Sequence, residues 1–306
     1  MSTINAKPFL KWAGGKTQLL DAFSKRIPKE LKSGEITTFV EPFIGGGAVF
    51  FHFNSTFLFD ECHLFDINEE LYLTYHVVKR DVDELIECLR NLTDTFLSKD
   101  EEERKKYFYS IRNEFNQTKQ SINYNSYGTA WIPRACQLIF LNKTCFNGLF
   151  RVNSQGGFNV PFGRYKNPKI IHPELLRRDA ELLQNTTIHL GDFADSSPYI
   201  TKDSFVYFDP PYRPLSPSAS FTHYSMGGFD DADQKRLAEF FAACDAKQAK
   251  LLLSNSDPKN INPDDDFFDR LYANYAIERV PAKRMINADA SKRGEINELI
   301  VTNYFN

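Results

Sequence analysis

The sequence predicts an α/β protein built on a parallel sheet and carrying one large insertion. Runs of β-branched and aromatic residues recur at strand length, and patterns of helical period stand between several of them. The interval from about residue 69 to 175 is too long for a simple crossover. In order, strands are read at Thr38 to Pro42, His63 to Asp66, Thr187 to Leu190, Ser204 to Phe208, Lys250 to Leu253 and Glu298 to Asn303. One helical pattern runs from Thr17 to Phe23, after a glycine pair. Others run from Asn68, a capping residue, through Leu71, Tyr75 and Val78, from Asp81 through Leu85 and Leu89, and from Asp230 through Leu237 and Phe241. No repeat, low-complexity tract or Gly/Ser linker separates domains, so residues 1–68 and 176–306 read as one core interrupted by a module at 69–175.

Composition removes several classes. With 306 residues, 42% hydrophobic and 25% charged, the chain has ample core and is not disordered. No apolar run approaches the ~18 residues that span a bilayer, and the start MSTINAKPFLKW lacks a signal core and cleavage site, so a cytoplasmic protein without a membrane partner is expected. The scattered cysteines Cys62, Cys88, Cys136, Cys145 and Cys244 read as reduced thiols, with no zinc site and no metal expected. The net charge of −3 hides an asymmetry: from Phe115 to Pro173 there is no Asp or Glu, but Lys119, Arg134, Lys143, Arg151, Arg164, Lys166 and Lys169 are present. Interleaved with aromatics, Asn and Gly, these suit a polyanion surface that also stacks on bases, or else a solvated face.

Three segments near predicted strand or helix ends carry chemistry. In Trp12-Ala-Gly-Gly-Lys16-Thr17, the glycines and Lys16 could bind a carboxylate at a helix N-terminus or form a plain helix-entry turn; Leu10 stands where a phosphate-binding loop needs glycine. Glu41-Pro-Phe43-Ile-Gly45-Gly-Gly47 follows a strand, and Asp66 lies about 20 residues beyond it, where a ribose-binding carboxylate is expected. Phe50 replaces the third small residue of a dinucleotide fingerprint, which disfavours a hydride-transfer cofactor. Asp209-Pro210-Pro211-Tyr212 ends a buried strand, where open α/β sheets bind ligands. The Asp209 carboxylate and the Pro210 carbonyl can accept both hydrogens of an exocyclic amine while Tyr212 stacks on its ring, leaving the nitrogen able to attack an electrophilic methyl.

Phe9-Leu-Lys-Trp-Ala-Gly-Gly-Lys16, Glu41-Pro-Phe-Ile-Gly-Gly-Gly47, Phe146-Asn-Gly-Leu-Phe-Arg151, Phe158-Asn-Val-Pro-Phe-Gly-Arg-Tyr165 and Asp209-Pro-Pro-Tyr212, in this order, resemble the Dam-type DNA adenine-N6 methyltransferases of the D12 class, group α. The resemblance implies a Rossmann-like methyltransferase sheet with a mainly helical target-recognition insert, S-adenosylmethionine as methyl donor, and an adenine flipped out of double-stranded DNA as acceptor. It implies Trp12, Lys16, Asp66 and Asp209 as cofactor contacts, with Phe43, Gly45 and Gly47 in the adjoining loop and Asp192 and Phe193 near the cofactor's adenine. It further implies Arg151 as a guanine reader, Lys11 as reader of the first base pair, and Phe146 and Asn147 as fillers of the vacated stack, Phe146 standing where members often have Tyr. Pro161 then suits a thymine methyl, and Arg164 and Lys166 suit phosphates, with GATC as the expected site.

The cluster Lys283, Arg284, Lys292 and Arg293 resembles the family's C-terminal loop near the DNA backbone, and the segment from Arg213 to Phe229 reads as a loop able to close over the extruded base. A restriction endonuclease acting on the same site would be a functional partner, not a physical one. A methyltransferase acting on RNA adenine is the nearest rival, and a nucleotide-binding α/β enzyme of another kind leaves Asp209 to Tyr212 idle.

Overall fold

The computed structural model describes residues 6–57, 59–213, 229–283 and 295–305. Among these residues the strands are β1 Thr38–Glu41, β2 Glu61–Asp66, β3 Thr186–Leu190, β4 Ser204–Phe208, β5 Lys250–Ser256, β6 Ala276–Lys283 and β7 Glu295–Thr302. The helices are α1 Leu20–Ser24, α2 Lys29–Ser33, α3 Ala48–Phe57, α4 Glu69–Arg80, α5 Val82–Leu97, α6 Glu101–Thr118, α7 Trp131–Thr144, α8 Pro173–Leu182, α9 Asp231–Ala246 and α10 Phe267–Leu271. The sheet has seven strands in the order β3-β2-β1-β4-β5-β7-β6. This mixed α/β order is that of a Rossmann-like methyltransferase fold.

In β1, Val40 stands in parallel register with His63 of β2 on one side and Val206 of β4 on the other. The winding therefore reverses between β1 and β4, and the carboxyl ends of these two strands form a topological switch point, where such sheets bind ligands. Glu41 ends the first strand and Asp209 follows the second.

The expectation of a parallel sheet fails at one edge. β7 runs antiparallel to β5, with Val301 opposite Leu253, and antiparallel to β6, with Val301 opposite Ile277. Residues 284–294 between β6 and β7 are fewer than the dozen or so that a parallel crossover takes. β6 itself escapes sequence reading because Pro281 argues against a strand; as the last strand of the order it needs no ladder bond on its outer side.

The chain divides into two compact units. The first comprises Met1–Gly15, Gly45–Ser55 and Asp66–Leu190; the second comprises Lys16–Ile44, Thr56–Phe65 and Gly191–Asn306. In the second, Val206 and Phe208 of β4, Leu251 and Leu253 of β5, Leu299 and Val301 of β7 and Leu237 and Phe241 of α9 share one buried cluster. The Asp230 side chain caps α9 by accepting from the Ala232 and Asp233 N–H groups, and the Asp233 carboxylate accepts the Asp230 N–H in return, as its sequence position predicts.

In the first unit α4 packs on α7, α8 and β3, and α5 packs on α7. Asn68 caps α4 by accepting from the Glu70 and Leu71 N–H groups. Glu70, on that first turn, pairs with Arg134 of α7, both buried, and also accepts from the Tyr124 hydroxyl at 2.9 Å. No described helix is long and apolar enough to cross a membrane.

Candidate functional site

Asp209 leaves β4, a strand buried at every residue, so its backbone is anchored by the core of the second unit. Its Oδ1 accepts from Lys16 Nζ at 2.5 Å, and the Ser254 hydroxyl of β5 adds a weaker downward pull on the carboxyl. Ser254 Oγ lies 2.7 Å from the Tyr207 hydroxyl, which extends the chain of donors behind Asp209. Burial pushes the Asp209 carboxyl above its ordinary range despite the pull of Lys16. Burial alone would lower the Lys16 ammonium, but Asp209, then Tyr212 and Glu298, raise it on balance and keep it protonated. Of the two sequence alternatives, a plain helix-entry turn would leave Lys16 in solvent, whereas only 4% of it is accessible, and it leads into one turn of 3-10 helix, Thr17–Leu19.

The rest of the 209–213 loop is fixed residue by residue within the same unit. Pro210 is buried, and the Pro211 carbonyl accepts from Gln234 Nε2 of α9 at 3.1 Å. The Tyr212 hydroxyl donates to Glu298, 3.0 Å from each carboxylate oxygen, and its ring lies beneath Lys16 Nζ at 4.7 Å. Arg213 forks onto Asp231 at 2.6 and 2.9 Å, reaches Asp265 at 2.8 Å and stacks on Phe267. Nearby, Phe43 packs on Phe193 with centroids 5.5 Å apart, and Phe193 is a core ring covered by the Arg236 guanidinium. Both Asp192 oxygens are engaged by Arg236, at 2.7 and 2.9 Å, which holds this carboxyl below its ordinary range.

In the first unit, Asp66 accepts from the Gly45 N–H at 3.0 Å on Oδ2 and from the Asn68 N–H at 2.9 Å on Oδ1. Desolvation outweighs these bonds and pushes its carboxyl up to about 6. Gly45, at φ +46°, presses on the Trp12 indole so closely that a Cβ there would stand 3.0 Å from Cδ1. Gly47, also at positive φ, opens α3 by accepting from the Phe51 N–H. The other side of the contact is aromatic: Trp12 stacks on Phe150, with centroids 5.1 Å apart.

The same unit displays the predicted readers on two bridged segments. Cys145 pairs with Phe162 and Val152 with Phe158, while the Phe146 N–H donates to Pro161 O and the Asn159 N–H donates to Arg151 O. From this platform Phe146, Asn147, Arg151, Pro161, Arg164 and Lys166 are exposed, Phe146 by 52%. Asn147 and Arg164 adopt positive φ, which turns the backbone sharply at both positions. Arg151 Nε donates to Asn159 Oδ1 at 2.7 Å, which orients the guanidinium. Lys11 is held beside them by Asn142, whose side chain accepts from the Lys11 N–H and donates to the Lys11 and Gly148 carbonyls.

Two members of the acid-free stretch do not join this surface. Arg134 is buried against Glu70, which lies 64 residues earlier, so local absence of acid does not mean absence of a partner. Lys143 is half-buried, and desolvation, aided by Lys11, pushes its ammonium down to about 8. Arg284, Lys292 and Arg293 lie outside the described residues, as do 214–228 of the proposed closing loop; Lys283 is described only as the last residue of β6. Sequence reasoning missed Ser254, Gln234, Glu298 and Asn142. Its one available signal was a polar residue ending an apolar run, as in Leu251-Leu-Leu-Ser254 and Leu138-Ile-Phe-Leu-Asn142.

Comparison with known proteins points to one family. A family model of D12 class N6 adenine-specific DNA methyltransferases matches residues 12–286. The chain is 50% identical to the Type II methyltransferase M.MjaIII of Methanocaldococcus jannaschii over 98% of this chain and 100% of that protein. It is 38% identical to the Type II methyltransferase M1.LlaDCHI of Lactococcus lactis subsp. cremoris, over 99% and 97% of the two chains. With the DNA adenine methylase of Escherichia coli K12 the identity is 35%, over 96% and 94%.

Proposed function

Because the chain belongs to the D12 class of N6 adenine-specific DNA methyltransferases, we propose that it takes its methyl from S-adenosylmethionine, flips the target adenine out of duplex DNA and acts at GATC. The observation that carries this reading is the fixed loop Asp209 to Tyr212 at the end of β4. The Asp209 carboxylate and the Pro210 carbonyl accept the two N6 hydrogens, and Tyr212 stacks on the ring. When bound, the donor supplies an electrophilic sulfonium methyl. The N6 nitrogen forms its bond to carbon as the carbon–sulfur bond breaks, and one N6 proton leaves along the hydrogen bond to Asp209, a carboxylate made more basic by burial. No covalent bond to the enzyme forms.

The residues present suit that donor. Each Asp66 oxygen accepts one backbone N–H and keeps a lone pair for a ribose hydroxyl, and Gly45, lacking a side chain, lets the Trp12 indole close against that loop. Trp12, Phe43 and Gly47 would line the adjoining loop, Asp192 and Phe193 would stand at the adenine, and Lys16 would meet the donor's carboxylate beside Asp209. Residues 69–175 would carry target recognition and residues 1–68 and 176–306 the chemistry. Arg151 would grip guanine O6 and N7, Lys11 the first base pair and Pro161 a thymine methyl, while Arg164 and Lys166 hold phosphates. The exposed ring of Phe146, with Asn147, would fill the space the adenine leaves. The naming of two relatives as Type II methyltransferases supports a cognate restriction endonuclease as functional partner, in the cytoplasm.

The test is methylation of a plasmid of known sequence with S-adenosylmethionine, followed by mapping of N6-methyladenine. Modification confined to GATC is expected; modification elsewhere removes the site assignment, and transfer to RNA in its place removes the substrate. A 2-aminopurine at the target position should brighten on binding, and an unchanged signal would exclude flipping.

A further inference from the structure

We infer that Glu298 is a positioning residue for the methyl-transfer reaction, fixing the Tyr212 ring against which the target base stacks. The inference rests on the role proposed above for Tyr212 and adds the group that makes the role possible. Glu298 sits on β7, opposite Ser256 of β5 and Val280 of β6, so a strand paired on both sides fixes its backbone. Only 5% of it is exposed, and both its oxygens lie 3.0 Å from the Tyr212 hydroxyl. Tyr212, by contrast, lies on a loop outside any helix or strand.

A carboxylate is an expensive anchor at such a place. Desolvation pushes the Glu298 carboxyl up to about 7, with Lys16 drawing it down and Asp209 opposing that. A buried apolar residue of similar size would be cheaper to fold. What the carboxylate supplies is a symmetric acceptor that holds a phenol at its far end, while Lys16 lies over the same ring. Two contacts at different points restrict both the tilt and the rotation of the ring. A flipped base can lose much of its stacking if the ring turns, so Glu298 acts through Tyr212 and not on the base.

The test is an epistasis experiment on the full chain with duplex DNA and S-adenosylmethionine. Tyr212→Phe removes only the hydroxyl and should lower kcat by about 10- to 100-fold, the loss expected for a hydrogen bond to a charged group, with KM for the donor little changed. Glu298→Ala should lose as much. Glu298→Gln keeps an amide oxygen for the phenol and should recover most of the rate. In the Tyr212→Phe background, Glu298→Ala and Glu298→Gln should cost nothing more. Multiplying losses, or a Glu298→Gln variant as slow as Glu298→Ala, would overturn the inference and assign Glu298 to Lys16. A second readout needs no turnover: in protein with ring-labelled tyrosine, the Tyr212 signal, identified by its loss in Tyr212→Phe, should broaden or shift in Glu298→Ala and hold in Glu298→Gln. An unmoved signal overturns the inference even if the wild type transfers no methyl to adenine, an outcome that would separately overturn the functional reading.

Discussion

Around Asp209 the charged groups are matched: Lys16 lies on Asp209, Arg213 on Asp231 and Asp265, and Tyr212 on Glu298. Along residues 145–166 the arrangement is reversed, because Arg151, Arg164 and Lys166 are exposed and have no ion pair among the described residues. The difference is the one that the roles proposed for the two regions require. A group that takes part in bond making must be held before the substrate arrives, in surroundings that strengthen its electrostatics. A group that reads a polyanion must keep its charge unspent until contact. Substitutions in the first region should therefore act on turnover, and those in the second on binding and sequence choice.

The sharpest way to break this comparison is Asp209→Ala. Turnover should fall by about 10³-fold or more while DNA binding stays within a few-fold, read by methyl incorporation and by equilibrium binding. Near-normal turnover would remove Asp209 from the active site. The buried pair in the first unit provides the next largest effect. Glu70→Ala strands Arg134 without its carboxylate and should cost about 3–5 kcal/mol of stability in chemical denaturation. A loss no larger than that of a surface ion pair would show that Arg134 finds water or another acceptor.

Arg151→Ala should relax discrimination at one guanine by about 1–3 kcal/mol, or roughly 5- to 150-fold, measured by competition between GATC and single-base variants. Intact discrimination would assign guanine reading elsewhere. Asp66 sharpens the comparison through pH. Its folded pKa of about 6 lies above that of an unfolded carboxyl, near 4, so its contribution to stability is present below pH 4 and is lost as pH rises through 6. The ribose contact proposed for Asp66 uses the ionised form, so donor affinity should run the other way and fall about tenfold from pH 7 to pH 5. Asp66→Asn should flatten both dependences, and a titration of donor affinity unaltered in that variant would dismiss Asp66. Lys166→Ala should do least: binding weakens evenly across sequences, and the slope of log affinity against log salt lessens by about one. A sequence-dependent loss would make Lys166 a base contact.

The core strands were legible because β4, Ser204–Phe208, is apolar or small throughout and bounded by turn residues, and helix starts were legible where Asn68 and Asp230 announce themselves by local capping. Local rules end where a partner is distant. Pro281 concealed β6, whose edge position depends on the whole sheet, and Arg134 looked like surface charge because Glu70 belongs to another helix. Within the candidate site, the residues that would touch substrate were nameable from motifs. Those that hold them, Gln234, Ser254 and Glu298, are ordinary polar residues whose meaning arises only when α9, β5 and β7 converge on one loop.

One joint in the reading platform bears on how such a protein can change over generations. A side-chain carbon at Gly163 would lie 2.6 Å from the Cys145 carbonyl oxygen and 2.6 Å from the Tyr165 ring, so any larger residue there forces the two bridged segments apart. The neighbouring Phe146, Arg151 and Pro161 are exposed and meet no such barrier. Mutation can therefore redraw the outline of this surface one side chain at a time while the joint beneath admits almost no variation. On the role proposed for this surface, a lineage descended from this chain would diverge in the word it reads well before it diverged in the frame that holds the letters.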